Sequence, residues 1–166
     1  LAGLRDNVKD YPRGLLACRS RLESELAQQV GSPVAVDILA DVLEIADEAW
    51  RGAVEGYLGS QKLYFLVEPA YYPQALRLYD SIRRDPKFRA FGLVDIGSLR
   101  EKEKLRPMDG SLAGKVETEN PLARTYVDYL LGRVKCCASV DELRQYRTAI
   151  TAEGMLYQGY VARALS

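Results

Sequence analysis

YLLGRVKCCASVDELRQY (Tyr129–Tyr146) and the earlier YLGSQKLYFLVEPAYYPQAL (Tyr57–Leu76) run through the same parts in the same order. Each has an apolar helix end, a Leu-Gly stop, an apolar strand, a short polar break and a new helix. A glycine directly after an apolar helical stripe is a helix-ending signal. A short apolar run after it reads as a buried strand. The repetition predicts two lobes of mixed α/β (α+β) structure, each a small mixed sheet packed by helices.

The adjacent Cys136 and Cys137 test the strand reading. Neighbours on a strand point to opposite faces, so the two thiols do not converge on one metal ion. Paired metal ligands usually stand two residues apart, and the sequence has no Cys-x-x-Cys. Nor has it any histidine to complete a ligand set. Free cysteine behaves as a small apolar residue, so both are expected in the core. An odd count of three cysteines and no secretory signal segment fit a reducing cytoplasm.

Toward the N-terminus, Leu1, Leu4, Val8, Tyr11, Leu15, Cys18 and Leu22 alternate spacings of three and four, as in a coiled-coil seam. Pro12 and Gly14 interrupt it, and two ordinary surface helices fit equally well. Gly31-Ser32-Pro33 is a stop, and Val34, Val36 and Ile38 then alternate as a strand. Asp47 is placed to cap a helix whose stripe is Trp50, Ala53, Val54, Tyr57 and Leu58. Leu63 to Val67 and Phe91 to Ile96 read as strands. Between them Tyr72, Ala75, Leu76, Tyr79 and Ile82 line a helix.

The boundaries that follow are 1–30 for an arm end and incoming helix, 31–96 for a first lobe, 97–120 for a polar linker, and 121–166 for a second lobe with the start of a return arm. In the second lobe, Asn120-Pro121 opens a helix striped by Leu122, Tyr126, Tyr129 and Leu130. Ser139 to Glu142 has the form of a capping box. Ala149 to Thr151 and Met155 to Tyr157 predict a hairpin around Glu153-Gly154, and Tyr160 to Ser166 reads as the start of a helix. The chain begins with Leu and both ends look helical, so it reads as a piece of a longer protein.

Composition narrows the function. The 23 basic and 23 acidic side chains cancel, which leaves no global attraction for nucleic acid or an anionic membrane. No apolar run approaches the roughly 20 residues of a membrane span. Phosphate-binding glycine loops are absent, and without histidine the Ser-His-Asp and Cys-His arrangements are excluded. Acidic pairs such as Asp47/Glu48 and Glu117/Glu119 sit at helix caps or in the linker. The sequence therefore predicts no catalytic residue, no metal site and no cofactor in this chain. Arg83, Arg84, Lys87 and Arg89 form one local basic group. Arg133, Lys135, Arg144 and Arg147 form a second. Either is a candidate DNA contact, and the plainer reading is solvated helix ends beside acids. A small-molecule-binding domain with its ligand between the lobes, and a nucleic-acid-binding module, stay open as alternatives.

The order of parts resembles the hinge domain of SMC proteins. WRGAVEGYLGSQKLYFLVEPAYYPQALRLYDS (Trp50–Ser81) looks like the first lobe of that hinge, FRAFGLVDIGSL (Phe88–Leu99) like its next strand, and YVDYLLGRVKCCASVDELRQY (Tyr126–Tyr146) like the second lobe. RTAITAEGMLYQGYVARAL (Arg147–Leu165) stands where the family has a strand, a glycine turn and a glycine-rich close. The resemblance covers roughly Val34 to Leu165. VETENPLARTYVDYLLGRV and AITAEGMLYQGYVAR are most similar to the condensin-like SMC subunit of bacterial Wadjet anti-plasmid systems. The family's usual double glycine is replaced by Gly159-Tyr160-Val161, and adjacent cysteines exclude the zinc-hook relatives. The resemblance implies a homodimer paired through strand edges, at Phe91, Gly92 and Leu93 in one lobe and Tyr157, Gln158 and Gly159 in the other. It further implies a parent that binds ATP and Mg in head domains outside this chain and acts on DNA.

Overall fold

Gly14 and Gly31 bound the first helix. Both take left-handed backbone angles, φ 87° and 86°, which are costly for a residue with a Cβ. Between them α1 (Leu15–Val30) turns Leu15, Cys18, Leu22 and Leu26 fully inward. The computed structural model describes residues 11–165. Leu1, Leu4 and Val8 of the expected seam lie outside the described residues. Tyr11 packs partly buried on the core, and Leu15, Cys18 and Leu22 belong to it. The stripe on α1 is thus used on the domain's own interior, against α3 (Tyr72–Ile82), where a coiled-coil reading had it facing another helix.

The first sheet is small. β1 (Asp37–Ile38), β3 (Phe65–Leu66) and β4 (Leu93–Val94) lie in the order β1-β3-β4. β1 runs antiparallel to β3 with Ile38 opposite Phe65, and β4 runs parallel to it with Leu93 opposite Phe65. The alternation at Val34, Val36 and Ile38 survives as burial, although only Asp37–Ile38 enters a ladder. β2 (Glu44–Ile45) pairs outside this sheet, antiparallel to β5 (Val116–Glu117). The Asp47 carboxylate accepts from the Ala49 amide at 3.2 Å and starts the turn that feeds α2 (Arg51–Leu58). Ala53, Val54 and Leu58 of its stripe are buried. On α3 the buried residues are Ala75 and Ile82, whereas Leu76, expected inside, is 45% exposed.

The stretch 97–120, expected to be a polar linker, is structured. α4 (Ile96–Lys102) starts at Asp95, a tight turn covers Leu112–Lys115, and β5 follows. Leu112, Ala113 and Val116 are buried. Its few apolar residues sit where the segment touches the core, so average polarity conceals them.

Asn120 caps α5 (Pro121–Leu131): its side-chain oxygen accepts from the Leu122 and Ala123 amides at 2.9 and 3.0 Å. The buried face of α5 is Leu122, Ala123, Val127 and Leu131. This rotates the expected stripe: Tyr126 packs only partly buried on the core, and Tyr129 is exposed.

The second sheet runs β6 (Lys135–Cys137), β7 (Thr148–Thr151), β8 (Met155–Gln158), β9 (Val161–Ala164). β6 is parallel to β7 and the other pairs are antiparallel. Gly154, at φ 97°, turns the expected hairpin. The helix expected from Tyr160 is instead β9, paired from Gln158↔Val161 to Met155↔Ala164. Alanine and arginine are good helix formers, but propensity is a weak preference that an available ladder overrides. Ser139 is followed by a 3₁₀ turn, Val140–Gln145, without a side-chain cap. The Glu142 amide donates to the Ser139 carbonyl, so the capping box does not form.

Cys136 packs on the main core and Cys137 in a smaller cluster with Leu143 and Ala149, on opposite faces of β6. All three cysteines are free thiols, and burial pushes each pKa up, Cys136 to about 11. The main core takes residues from both lobes, Phe65 and Ile82 from the first and Val134 and Ile150 from the second.

Candidate dimerisation surfaces

β4 is the last strand of its sheet. Leu93 on this strand, and Phe91 and Gly92 just before it, are half-buried, and the Tyr72 hydroxyl donates to the Leu93 carbonyl at 3.1 Å. A Cβ on Gly92 would meet the Tyr64 ring at 3.1 Å, so the backbone here approaches an aromatic face closely. Beside β4 lies a groove of about 480 Å³, lined among others by Tyr64, Leu93, Leu99, Tyr126 and Tyr129. Tyr126 is central, with ring centroids 6.3 Å from Tyr64 and 6.4 Å from Tyr129. Burial, then the neighbouring phenols, push its pKa up to about 12. Asp95 holds the groove's far wall by accepting from the Ser98 amide at 3.0 Å and the Ser98 hydroxyl at 2.9 Å.

The second lobe offers a different edge from the expected one. Tyr157 and Gln158 lie on β8, which is paired on both sides: Tyr157 stands between Ala149 and Ala162, and Gln158 between Thr148 and Val161. The open edge of this sheet is β9, all four of whose residues are exposed. Gly159 (φ 59°) and Tyr160 (φ 65°) form the β8–β9 turn. Two residues with positive φ at a hairpin tip match the twist of the strands, yet a tyrosine there is a backbone outlier. Tyr160 is 93% exposed and Val161 55%. Sequence reading missed both, although two residues between MLYQ and VARA are a hairpin spacing.

The basic residues divide by their partners. Arg83 and Arg84 both pair with Asp80, at 2.9 and 3.1 Å. Lys87 follows Asp85, whose carboxylate accepts from its amide, and Arg89 lies over the Phe91 ring at 4.9 Å. Lys135 donates to the Asp109 carbonyl at 3.0 Å and lies over Tyr146. Arg133 reaches Glu103 at 3.4 Å. Arg144 and Arg147 make no ion pair among the described residues. Of the second group, Arg133 and Arg147 line one cleft and Arg144 and Arg147 another. Among the described residues no three His, Cys, Asp or Glu side chains could hold a metal, and no helix is long and apolar enough to cross a membrane.

Small mixed sheets packed by helices, with β2 and β5 paired outside the two larger sheets, define an SMC hinge-like fold. The chain is similar to the hinge domain of the Pyrococcus furiosus SMC protein, with a TM-score of 0.63 and 19% identity over 92% of this chain and 87% of that one. It is similar to the same organism's hinge with an extended coiled coil (TM-score 0.60, 22% identity, 89% of this chain and 56% of that one). An asymmetric dimer of the Geobacillus stearothermophilus SMC hinge domain also matches, with a TM-score of 0.61 and 16% identity over 98% of this chain and 69% of that one. The chain thus spans little more than half of the extended hinge chain. No family model and no curated protein matches it.

Proposed function

We propose that this chain is the homodimerisation hinge of an SMC-family ATPase that acts on DNA, and that the chain itself is not catalytic. The observation that carries the reading is a hinge-like fold with two open strand edges on different lobes, β4 with its aromatic groove and β9 with Tyr160 and Val161. In a twofold pair, β9 of each protomer lies along β4 of its partner, and Tyr160 enters the groove beside Tyr64 and Tyr126. Backbone groups on both edges then gain partners, and two equal seams close the assembly.

The parent protein folds back at this hinge, binds ATP and Mg in its head domains and engages DNA as a full-length cytoplasmic complex. Its condensin-like, anti-plasmid assignment is supported by the similarity of Val116–Val134 and Ala149–Arg163 to the Wadjet SMC subunit. Sedimentation equilibrium at micromolar concentration tests the central statement. The expected mass is twice 18.6 kDa; a monomer would sink the reading. A monomer whose melting temperature rose in a metabolite screen would favour a small-molecule domain instead.

A further inference from the structure

Tyr160 lines a hollow of about 470 Å³ in its own protomer. Arg144 and Arg147 line the same hollow beside Tyr146 and Tyr157, and no aspartate or glutamate does. Both arginines are exposed. Neither makes an ion pair among the described residues, whereas Arg83 and Arg84 share Asp80. Lys135 lies over the Tyr146 ring at 5.4 Å, so the aromatic wall carries a further positive charge. The exposed tip of the β8–β9 hairpin is therefore surrounded by a positive potential without counter-ions.

The groove beside β4 has the opposite balance. Its charged lining is Asp95, Glu103 and a single Lys102. Glu103 is 36% exposed and meets Arg133, itself 71% exposed, at 3.4 Å. A surface pair of this kind is weak, so the carboxylate remains available to another cation. When Tyr160 of one protomer enters the groove of its partner, the surroundings of knob and hole come together. Two arginines lacking partners then approach a wall with two carboxylates and one lysine. The twofold axis repeats the contact at the other seam.

We propose that the seam is matched in charge and thereby selects a second copy of this chain, with Arg144 and Arg147 of one protomer set against Asp95 and Glu103 of the other. This rests on the pairing of β9 with β4 proposed for the dimer, and it names what chooses the partner. Backbone groups on an open edge pair with any other open strand. Like charges across a seam reject the wrong one.

The test is sedimentation equilibrium of the whole chain and two charge-reversed variants. One carries Arg144→Glu with Arg147→Glu, and the other carries Glu103→Lys. Asp95 is left in place because it caps α4. Each variant alone opposes like charges at both seams, and its dimer dissociation constant should rise at least about tenfold over the parent's. Mixed in equal amounts, the two can form a heterodimer with both seams matched, one in the native sense and one reversed. The mixture should hold a mass of twice 18.6 kDa at concentrations where neither variant alone does. Raising salt from about 50 to about 500 mM should weaken the parent dimer about tenfold, and the neutral Arg144→Gln with Arg147→Gln less than about threefold. Circular dichroism checks each fold, and the neutral pair carries the test if a reversed variant unfolds. A dimeric parent whose variants dimerise equally well, a mixture no tighter than its components, or a neutral pair as salt-sensitive as the parent would overturn the inference. The β4–β9 seam would then stand, and the arginines would face a different anion. A monomeric parent would overturn both statements.

Discussion

Gln158 donates from its side-chain amide to the hydroxyl of Tyr57 at 3.3 Å, across 101 positions of sequence. Tyr57 lies in the last turn of α2 and Gln158 ends β8, so the bond directly links the second helix to the second sheet. It lies at the surface and joins two neutral groups, which limits its net value to about 0.5–1 kcal/mol. Tyr57→Phe and Gln158→Ala should each lower stability by about that amount, and the double variant should lose little more than either alone. Urea unfolding of the four proteins in a double-mutant cycle measures the coupling; strictly additive losses would show that the pair contributes nothing.

Val161 is more than half exposed, so an aspartate there costs the monomer fold little. At a seam it buries a carboxylate with no partner, a penalty of several kcal/mol, roughly 3–5, met twice in a twofold dimer. The expected product of Val161→Asp is a folded monomer, with the circular dichroism of the parent and half its sedimented mass. Retention of the dimer would move the seam away from β9.

Tyr160 sets stability against assembly. Its left-handed backbone costs about 1–2 kcal/mol in a residue with a Cβ, and glycine removes that cost. Tyr160→Gly is therefore predicted to be more resistant to urea at concentrations where the chain is monomeric, while dimerising more weakly than the parent. A variant that gained stability and dimerised as well as the parent would remove Tyr160 from the interface.

Alkali should destabilise the fold in two overlapping windows. Cys136 titrates at about 11 when folded against 9.0 when free, and Tyr126 at about 12 against 10.0. Both are neutral when protonated and folding raises both values. Their contribution is complete below the free values and is lost as pH climbs through the folded ones. Stability should thus hold up to about pH 9 and fall between pH 9 and 12. Tyr126→Phe should flatten the upper part of that fall in pH-dependent urea titrations. In the folded chain at pH 8, Cys136 should alkylate roughly a hundredfold more slowly than a free cysteine, because only the thiolate reacts; rapid labelling would contradict its place on the core.

Removing the Asn120 cap strips two amides of α5 of their acceptor and also frees Asp37, whose carboxylate accepts from the Asn120 amide at 3.2 Å. Asn120→Ala should cost about 1–2 kcal/mol in chemical denaturation. Asn120→Ser, which keeps a capping oxygen, should recover most of it.

What the sequence made legible were features written in local chemistry. Asn120-Pro121 announced α5, Glu153-Gly154 the hairpin, and Gly59 the end of α2, because each solves a backbone problem within a few residues. The misreadings arose where distant partners decide. Val161–Ala164 carries helix formers and becomes a strand because β8 offers it a ladder. Leu112, Ala113 and Val116 are buried where their segment meets α5 and the distant strand β2. Tyr126 and Tyr129 counted as core by hydrophobicity, whereas the buried face of α5 is Leu122, Ala123, Val127 and Leu131. Of the residues the resemblance points to for a seam, Leu93 lies on the edge strand β4, whereas Tyr157 and Gln158 lie on a strand paired on both sides.

The two ends of the described chain differ in how they would carry load. At the front, the Gly14 carbonyl accepts from the Arg89 amide, and a Cβ on Gly14 would collide with the Lys87 carbonyl at 2.6 Å; behind it, four side chains anchor α1 in the core. At the back, β9 is held by one neighbouring strand and covers nothing. Tension drawn between residues 11 and 165 therefore meets a weld at one end and a peelable strip at the other. In an optical trap the monomer should give way first by unzipping β9, in a small step that precedes rupture of the core. A second protomer lying along that strip would raise the force of the first step and leave the second where it was.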